Sequence, residues 1–189
     1  METGTHGIYA VGLQESTFPM TKEEKRLATS LNAYMGELLV ACLGTEYRCI
    51  ETKSMWEIRL LLIAHEDILP HLEVLDAATE ATGLGGVGGN KGGVGIAISV
   101  HRTHLCFVTA HLAAHMEYVK RRNRDAFDIF KGLRTLGQAK LPGTRQLDPT
   151  IGFDHVFFFG DLNYRIVRCV VPSPRMSREI ACACLRDHT

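Results

Sequence analysis

The sequence has no apolar run long enough to cross a bilayer. Its longest are residues 38–43 and 60–64, against the ~20 residues that a span requires. No basic segment followed by an apolar core stands near the first residue, so no secretory signal is expected. Net charge is also missing, with 21 Lys and Arg balanced by 21 Asp and Glu in 189 residues. That excludes binding to nucleic acid through bulk charge and leaves room for a local basic site facing a phosphate-rich ligand. There is no Cys-x-x-Cys pair and no histidine at metal-finger spacing. Cys42, Cys49 and Cys106 stand alone in apolar surroundings, and Cys169, Cys182 and Cys184 lie toward the C-terminal end. Free or buried thiols in a reducing compartment are expected. Repeats and low-complexity tracts are absent. What is present is a 46% hydrophobic composition, enough for a core without disulfide or metal staples.

Residues 8–13 read as a short buried strand ending at Gln14 and Glu15. Residues 21–39 read as a helix, with Leu27, Leu31, Tyr34 and Leu38 at the spacing of one apolar face. Residues 47–51 and 57–65 read as an antiparallel pair of strands, and 66–73 as a short helix or turn. A polar, helix-like stretch then leads to the glycine cluster at 83–95. Residues 94–100 and 104–109 read as strands joined by a tight turn. Residues 116–133 read as one helix, with Phe127 and Phe130 on its apolar side. A polar loop spans 141–150, and residues 155–159 read as a buried strand ending at Gly160-Asp161. Strands are often consecutive, which favours a layered α+β sandwich over an alternating βαβ sheet. Three strand ends carry Glu15, His111 and Asp161, a way to gather polar groups at one rim.

Two motifs fail on inspection. Gly83 to Gly88 satisfies G-x-G-x-x-G, but the strand-before, helix-after context of a dinucleotide site is missing. Gly89-Asn90-Lys91-Gly92 resembles a P-loop without its Ser/Thr. Glycines there still let backbone approach a ligand, and Lys91 can set a cation against a phosphate; a hairpin loop with a solvated lysine fits the same residues. His111 and His115 stand four apart, but Leu112 occupies the position where a zinc protease has Glu. His111 at a strand end suits phosphate contact or proton chemistry, whereas His115 suits a helix start. Asp161 can orient or deprotonate water and Asn163 can hold it; a turn capped by Asp and Asn would use the same residues. Glu15 can be a ligand for a hard cation or a surface carboxylate. Lys120 to Arg124 form a basic run that reads as a solvated helix face.

In order along the chain, Val11-Gly12-Leu13-Gln14-Glu15, Gly89-Asn90-Lys91-Gly92-Gly93-Val94, His111-Leu112-Ala113-Ala114-His115 and Phe159-Gly160-Asp161-Leu162-Asn163-Tyr164-Arg165-Ile166 resemble the inositol polyphosphate 5-phosphatases, of the endonuclease/exonuclease/phosphatase superfamily. Arg121-Arg122-Asn123-Arg124-Asp125 fits the same pattern. The resemblance covers about residues 8–166. It implies a four-layer α/β/β/α sandwich and Mg²⁺-dependent removal of the 5-phosphate from phosphoinositides or soluble inositol phosphates. It also implies roles. Glu15 would bind the metal, Asp161 would activate water, Asn163 would position it, and His111 would contact the scissile phosphate. Asn90 and Lys91 would touch the substrate's other phosphates, and Arg165 would brace the site.

The chain departs from the family's pattern at both ends. An early Trp-Asn pair is missing before residue 8, since Trp56 is the only tryptophan. The Pro-x-Trp-Cys-Asp-Arg and Ser-Asp-His segments expected after residue 166 are missing too. Asp187-His188 follows Arg186 and reads as chance. Residues 1–166 are therefore expected to be a partial 5-phosphatase catalytic domain, a sandwich incomplete at both ends, with 167–189 a divergent tail. Each lost partner costs ~10²- to 10⁴-fold in rate, so the chain as it stands is expected to be impaired. The alternatives are a non-catalytic phosphoinositide-binding pseudoenzyme or truncated gene product, and a nuclease or sphingomyelinase of the same superfamily. The expected location is the cytoplasm with peripheral contact at membranes, and no nucleic-acid partner is expected.

Overall fold

The computed structural model describes residues 5–16, 22–82, 90–140 and 148–165; residues 22–31 are described by backbone alone. The glycines at 83–89, most of the 141–150 loop, the 167–189 tail and the three C-terminal cysteines lie outside these residues.

The element order is β1 (Ile8–Leu13), α1 (Lys22–Leu43), β2 (Tyr47–Met55), β3 (Ile58–His65), β4 (Leu72–Ala81), β5 (Gly92–Val100), β6 (Thr103–His111), α2 (Val119–Gly132), α3 (Pro149–Gly152) and β7 (His155–Asp161), with single 3₁₀ turns at Leu69–His71, Met116–Tyr118 and Leu133–Thr135. Two sheets form, one in the order β1-β3-β2 and the other β4-β5-β6-β7. They face each other, with α1 packed on β2 and β3 and α2 on β4 and β5. This is the α/β/β/α sandwich that the sequence led us to expect.

β3 explains the layering. Ile58 to Ala64 are all buried, because β3 is the central strand of its sheet with a layer on each face. In β5 the two faces are divided by size. Val94, Ile96 and Ile98 pack with Ile58, Leu60, Leu62 and Phe107 between the sheets. Gly93, Gly95 and Ala97 turn the other way. A Cβ on Gly93 would stand 2.6 Å from the Ile129 side chain, so the glycine lets α2 approach. Ala97, Cys106, Val108 and Ala110 then close over Ile129, Leu133 and Leu136 in a second core. Each large aliphatic side chain buried this way contributes about 1.5–3 kcal/mol. Within that second core, burial pushes the Cys106 thiol up to about 12. Native-state alkylation at pH 8, read by peptide mass spectrometry, should therefore label exposed Cys42 and leave Cys106 unlabelled until the chain unfolds.

The structure corrects four expectations. The buried stripe of α1 is not the one containing Tyr34 and Leu38, which are exposed. It runs through Asn32, Met35, Gly36, Leu39 and Val40, because Gly36 lets the helix press against Cys49 of β2. Leu27 and Leu31 lie where side chains are not described. Residues 72–81 are strand, not helix-like. Leu72 pairs with Val100 and the register continues to Ala81 with Gly92, through one irregularity after Val74; this ladder overrides the helix preference of its Ala, Leu and Glu. β7 is an edge strand of mixed burial, with Phe157 exposed on one face though stacked on Phe107. Phe127 is exposed as well. The buried residues of α2 are Arg122, Asp125 and Ile129, so the run Lys120 to Arg124 is not simply a solvated face.

Candidate active site

The C-terminal ends of β1, β6 and β7 meet at one rim. β6 and β7 are parallel neighbours, with His111 opposite Asp161 in register. The turn at Gly160 holds the end of β7 close to β6: its φ is +121°, and a Cβ there would stand 2.3 Å from the Ala110 carbonyl oxygen. Only glycine fits both constraints. Asp161 Oδ2 lies 3.5 Å and Glu15 Oε1 3.8 Å from His111 Nε2. The imidazole is 1% exposed, while Asp161 and Glu15 are largely open to solvent.

Lys91 enters the same cluster and hydrogen-bonds His111 Nε2. An ammonium has only donors, so Nε2 is the acceptor and the ring proton sits on Nδ1. Among the described residues, Nδ1 is buried without a partner. Burial first, then the Lys91 charge, push the His111 pKa down, against the pull of Asp161 and Glu15. Burial and the Lys91 charge thus favour the neutral imidazole, while its two carboxylate neighbours favour the charged one. Burial likewise pushes Lys91 down, against Glu15 and Asp161.

Asp161 Oδ1 accepts the Asn163 amide N–H at 3.1 Å, and Asn163 Nδ2 donates to the Leu112 carbonyl at 3.0 Å. Asn163 sits at φ +54°, a left-handed position that asparagine tolerates. Its side-chain oxygen therefore remains at the rim, 3.5 Å from Arg165 Nη2. Among the described residues, Arg165 touches the cluster only through Asn163, and Asn90 enters it only as the residue before Lys91. Glu15, Lys91, His111, Asp161 and Asn163 are brought together; Asn90 and Arg165 stand at the margin.

Sequence reasoning noted Arg122 and Asp125 only as part of the Arg121-to-Asp125 pattern and gave them no role in holding this rim. Arg122 is 1% exposed. It donates to the carbonyls of Ala113, His115 and Met116 at 3.2, 2.5 and 3.2 Å, and its guanidinium carbon lies 5.1 Å from the Tyr164 ring centre. Buried Asp125 accepts from the Ala113 N–H and from Arg121 Nε. Together they fix the loop after His111, whose Leu112 carbonyl receives Asn163. Beside the resemblance of Arg121 to Asp125 to the family's pattern, the sequence signal was spacing: Arg122, Asp125 and Ile129 fall on one helical face.

The donor chemistry fits a hard divalent cation. Among the described residues no group of three or more His, Cys, Asp and Glu could hold a metal alone. One open carboxylate, Glu15, can still serve a hard cation that keeps most of its waters.

Comparison with known proteins agrees with this fold. Residues 2–181 match the family model described as endonuclease/exonuclease/phosphatase family 2. The chain is 32% identical over 161 residues to the phosphatidylinositol 3,4,5-trisphosphate 5-phosphatase 2B of Danio rerio, covering 85% of this chain and 12% of that one. It is 36% identical over 161 residues to the phosphatidylinositol 4,5-bisphosphate 5-phosphatase A of Homo sapiens, covering 84% and 15%. It thus spans a small part of these curated relatives. It is also similar to the inositol polyphosphate 5-phosphatase domain of SPsynaptojanin, solved with inositol (1,4)-bisphosphate and calcium ion, with a TM-score of 0.66 at 28% identity over 99% of this chain and 50% of that one. By its sequence pattern and its sandwich, the chain belongs to the endonuclease/exonuclease/phosphatase family 2, with its resemblance inside that family to the inositol polyphosphate 5-phosphatases.

Proposed function

We propose that this site hydrolyses the 5-phosphate of a phosphoinositide or soluble inositol phosphate, with Mg²⁺ held by Glu15. The observation that carries the reading is the convergence of Asp161, Asn163, His111, Lys91 and Glu15 at one rim. Each group has work suited to its place. Asp161 takes a proton from the attacking water. Asn163, fixed by Leu112, orients that water with its side-chain oxygen, which the long bond from Arg165 leaves at the rim. Once Lys91 swings to the substrate's phosphate, His111 Nε2 is released and, with the ring proton moved to that nitrogen, donates to a phosphate oxygen. Lys91, Asn90 and Arg165 supply positive or neutral donors to the substrate's phosphates, which raises local affinity without net charge on the chain. Mg²⁺, when bound, neutralises charge that develops on the phosphoryl oxygens. Action at a cytoplasmic membrane surface, without a nucleic-acid partner, belongs to the same reading.

A second reading has its own support. Lys91 occupies His111 Nε2, and among the described residues no complete metal-binding group exists. We propose on this ground that turnover by the 189-residue chain is weak, with phosphoinositide binding as the limiting case. Phosphate release from a 5-phosphorylated inositol lipid and from soluble inositol phosphates decides between them. Hydrolysis should appear with Mg²⁺ and disappear with EDTA. Saturable binding with no release at any Mg²⁺ concentration would leave only the binding reading, and neither binding nor release would remove both.

A further inference from the structure

We propose that a hydrogen bond between the two sheets, from Gln14 to Thr109, is the latch that sets Glu15 at the rim. Gln14 Nε2 donates to Thr109 Oγ1 at 2.8 Å. Thr109 is fully buried and lies on the inter-sheet side of β6, in the alternation Phe107, Thr109, His111. Polarity thus rises along one face of one strand, from the core to the rim.

Glu15 needs such a hold. The ladder between β1 and β3 ends at Leu13 with Arg59, so no strand pairing fixes the two residues that follow. Glu15 itself has φ +52°, a left-handed conformation that costs about 1–2 kcal/mol for a residue with a side chain. Such a conformation persists where neighbours over-determine it. On its C-terminal side, Ser16 does so within one sheet: its hydroxyl donates to the Glu57 carbonyl at 2.9 Å and accepts from Arg59 Nε at 3.0 Å. On its N-terminal side, Gln14 does so across the sheets. Beside the 3.8 Å approach of Glu15 to His111, this second tie is the hydrogen bond that relates the segment to the sheet carrying His111 and Asp161.

The sequence makes room for the bond. Gly12 lies where a Cβ would be 2.3 Å from Thr109 Oγ1 and 2.7 Å from the Phe159 ring. A side chain there would push β1 and β6 apart and carry Gln14 out of reach. Gly12-x-Gln14 and Thr109-x-His111 are therefore one device, in which the glycine sets the distance and the threonine supplies the acceptor. Thr109 is a positioning residue, acting through Gln14. The consequence for cation affinity rests on the proposed role of Glu15; the latch itself does not.

The test has two arms. Thr109→Val removes the acceptor at constant shape, Gln14→Leu removes the donor from the other side, and Thr109→Ser restores the hydroxyl. In the metal-free chain, amide exchange at Ser16 should speed up about tenfold in the first two variants and remain at the parent rate in Thr109→Ser. Amides of Leu61 and Ile96, inside the sheets, should keep their rates. Unchanged Ser16 exchange in both Thr109→Val and Gln14→Leu overturns the latch. If Gln14→Leu speeds exchange throughout the chain, because it leaves the buried Thr109 hydroxyl without its donor, Thr109→Val decides, since the Gln14 amide that it frees is half-buried and can turn to water. The second arm titrates Mn²⁺ into the same proteins. Affinity should fall roughly tenfold in the two broken-latch variants, as for other groups that orient a metal ligand. Faster Ser16 exchange with undiminished Mn²⁺ affinity would keep the latch and remove Glu15 as the cation ligand.

Discussion

Replacing Arg122 with alanine should cost the chain roughly 3–5 kcal/mol, the range for breaking a buried charged network. The guanidinium is enclosed, and three carbonyls of the loop after β6 depend on it. A carbonyl that loses its partner in a closed site is charged the full desolvation penalty, about 1–3 kcal/mol. Against a total stability of about 5–15 kcal/mol, that loss is large. Thermal unfolding should show a midpoint lower by roughly 10 °C. Arg122→Lys should recover less than half, because a single ammonium cannot span three carbonyls. A midpoint for Arg122→Ala within about 2 °C of the parent would refute the clasp.

Asp161→Asn should lower phosphate release ~10²- to 10⁴-fold, the contribution of a positioned general base. The amide has nearly the same shape, and its oxygen can still accept the Asn163 N–H that Asp161 Oδ1 now receives. What disappears is the capacity to take a proton from water. Folding should therefore be untouched while hydrolysis falls, read as phosphate release beside a thermal melt of the same sample. Undiminished release with an intact fold would show that the water loses its proton elsewhere.

These two residues also show which features a sequence discloses. Asp161 follows an apolar run and precedes an amide at i+2, so a rim position was readable from the local pattern. The same is true of His111 and Glu15, each at the end of a strand of hydrophobic residues. Arg122 lies in a run of Lys, Arg and Asn, and nothing local separates the one cation that turns inward from those that face water. Its burial is decided by carbonyls of residues 113–116, which bend back over α2. β4 failed for a related reason: its alanines and glutamates favour helix, and only the full-length pairing with β5 makes it a strand. In α1 the period was right and the phase was wrong. The stripe through Tyr34 and Leu38 is the more apolar, yet Gly36 gives the closer fit to β2. Close approach at a glycine leaves no hydrophobic signature in the sequence.

The parallel pairing of β6 with β7 bears on how the site comes into being. The chain must traverse residues 112–154, including α2, before Asp161 can reach His111. Pairings that distant in sequence pay their loop-closure entropy before any contact rewards them, and they form slowly. The antiparallel β5–β6 hairpin, closed by a turn at His101 and Arg102, can assemble far earlier with His111 already in place. Phosphate affinity should then arise only with the last docking of β7, and a brief detachment of that strand would switch the site off and uncover the parts of both cores on which Val156, Phe158 and Phe159 pack.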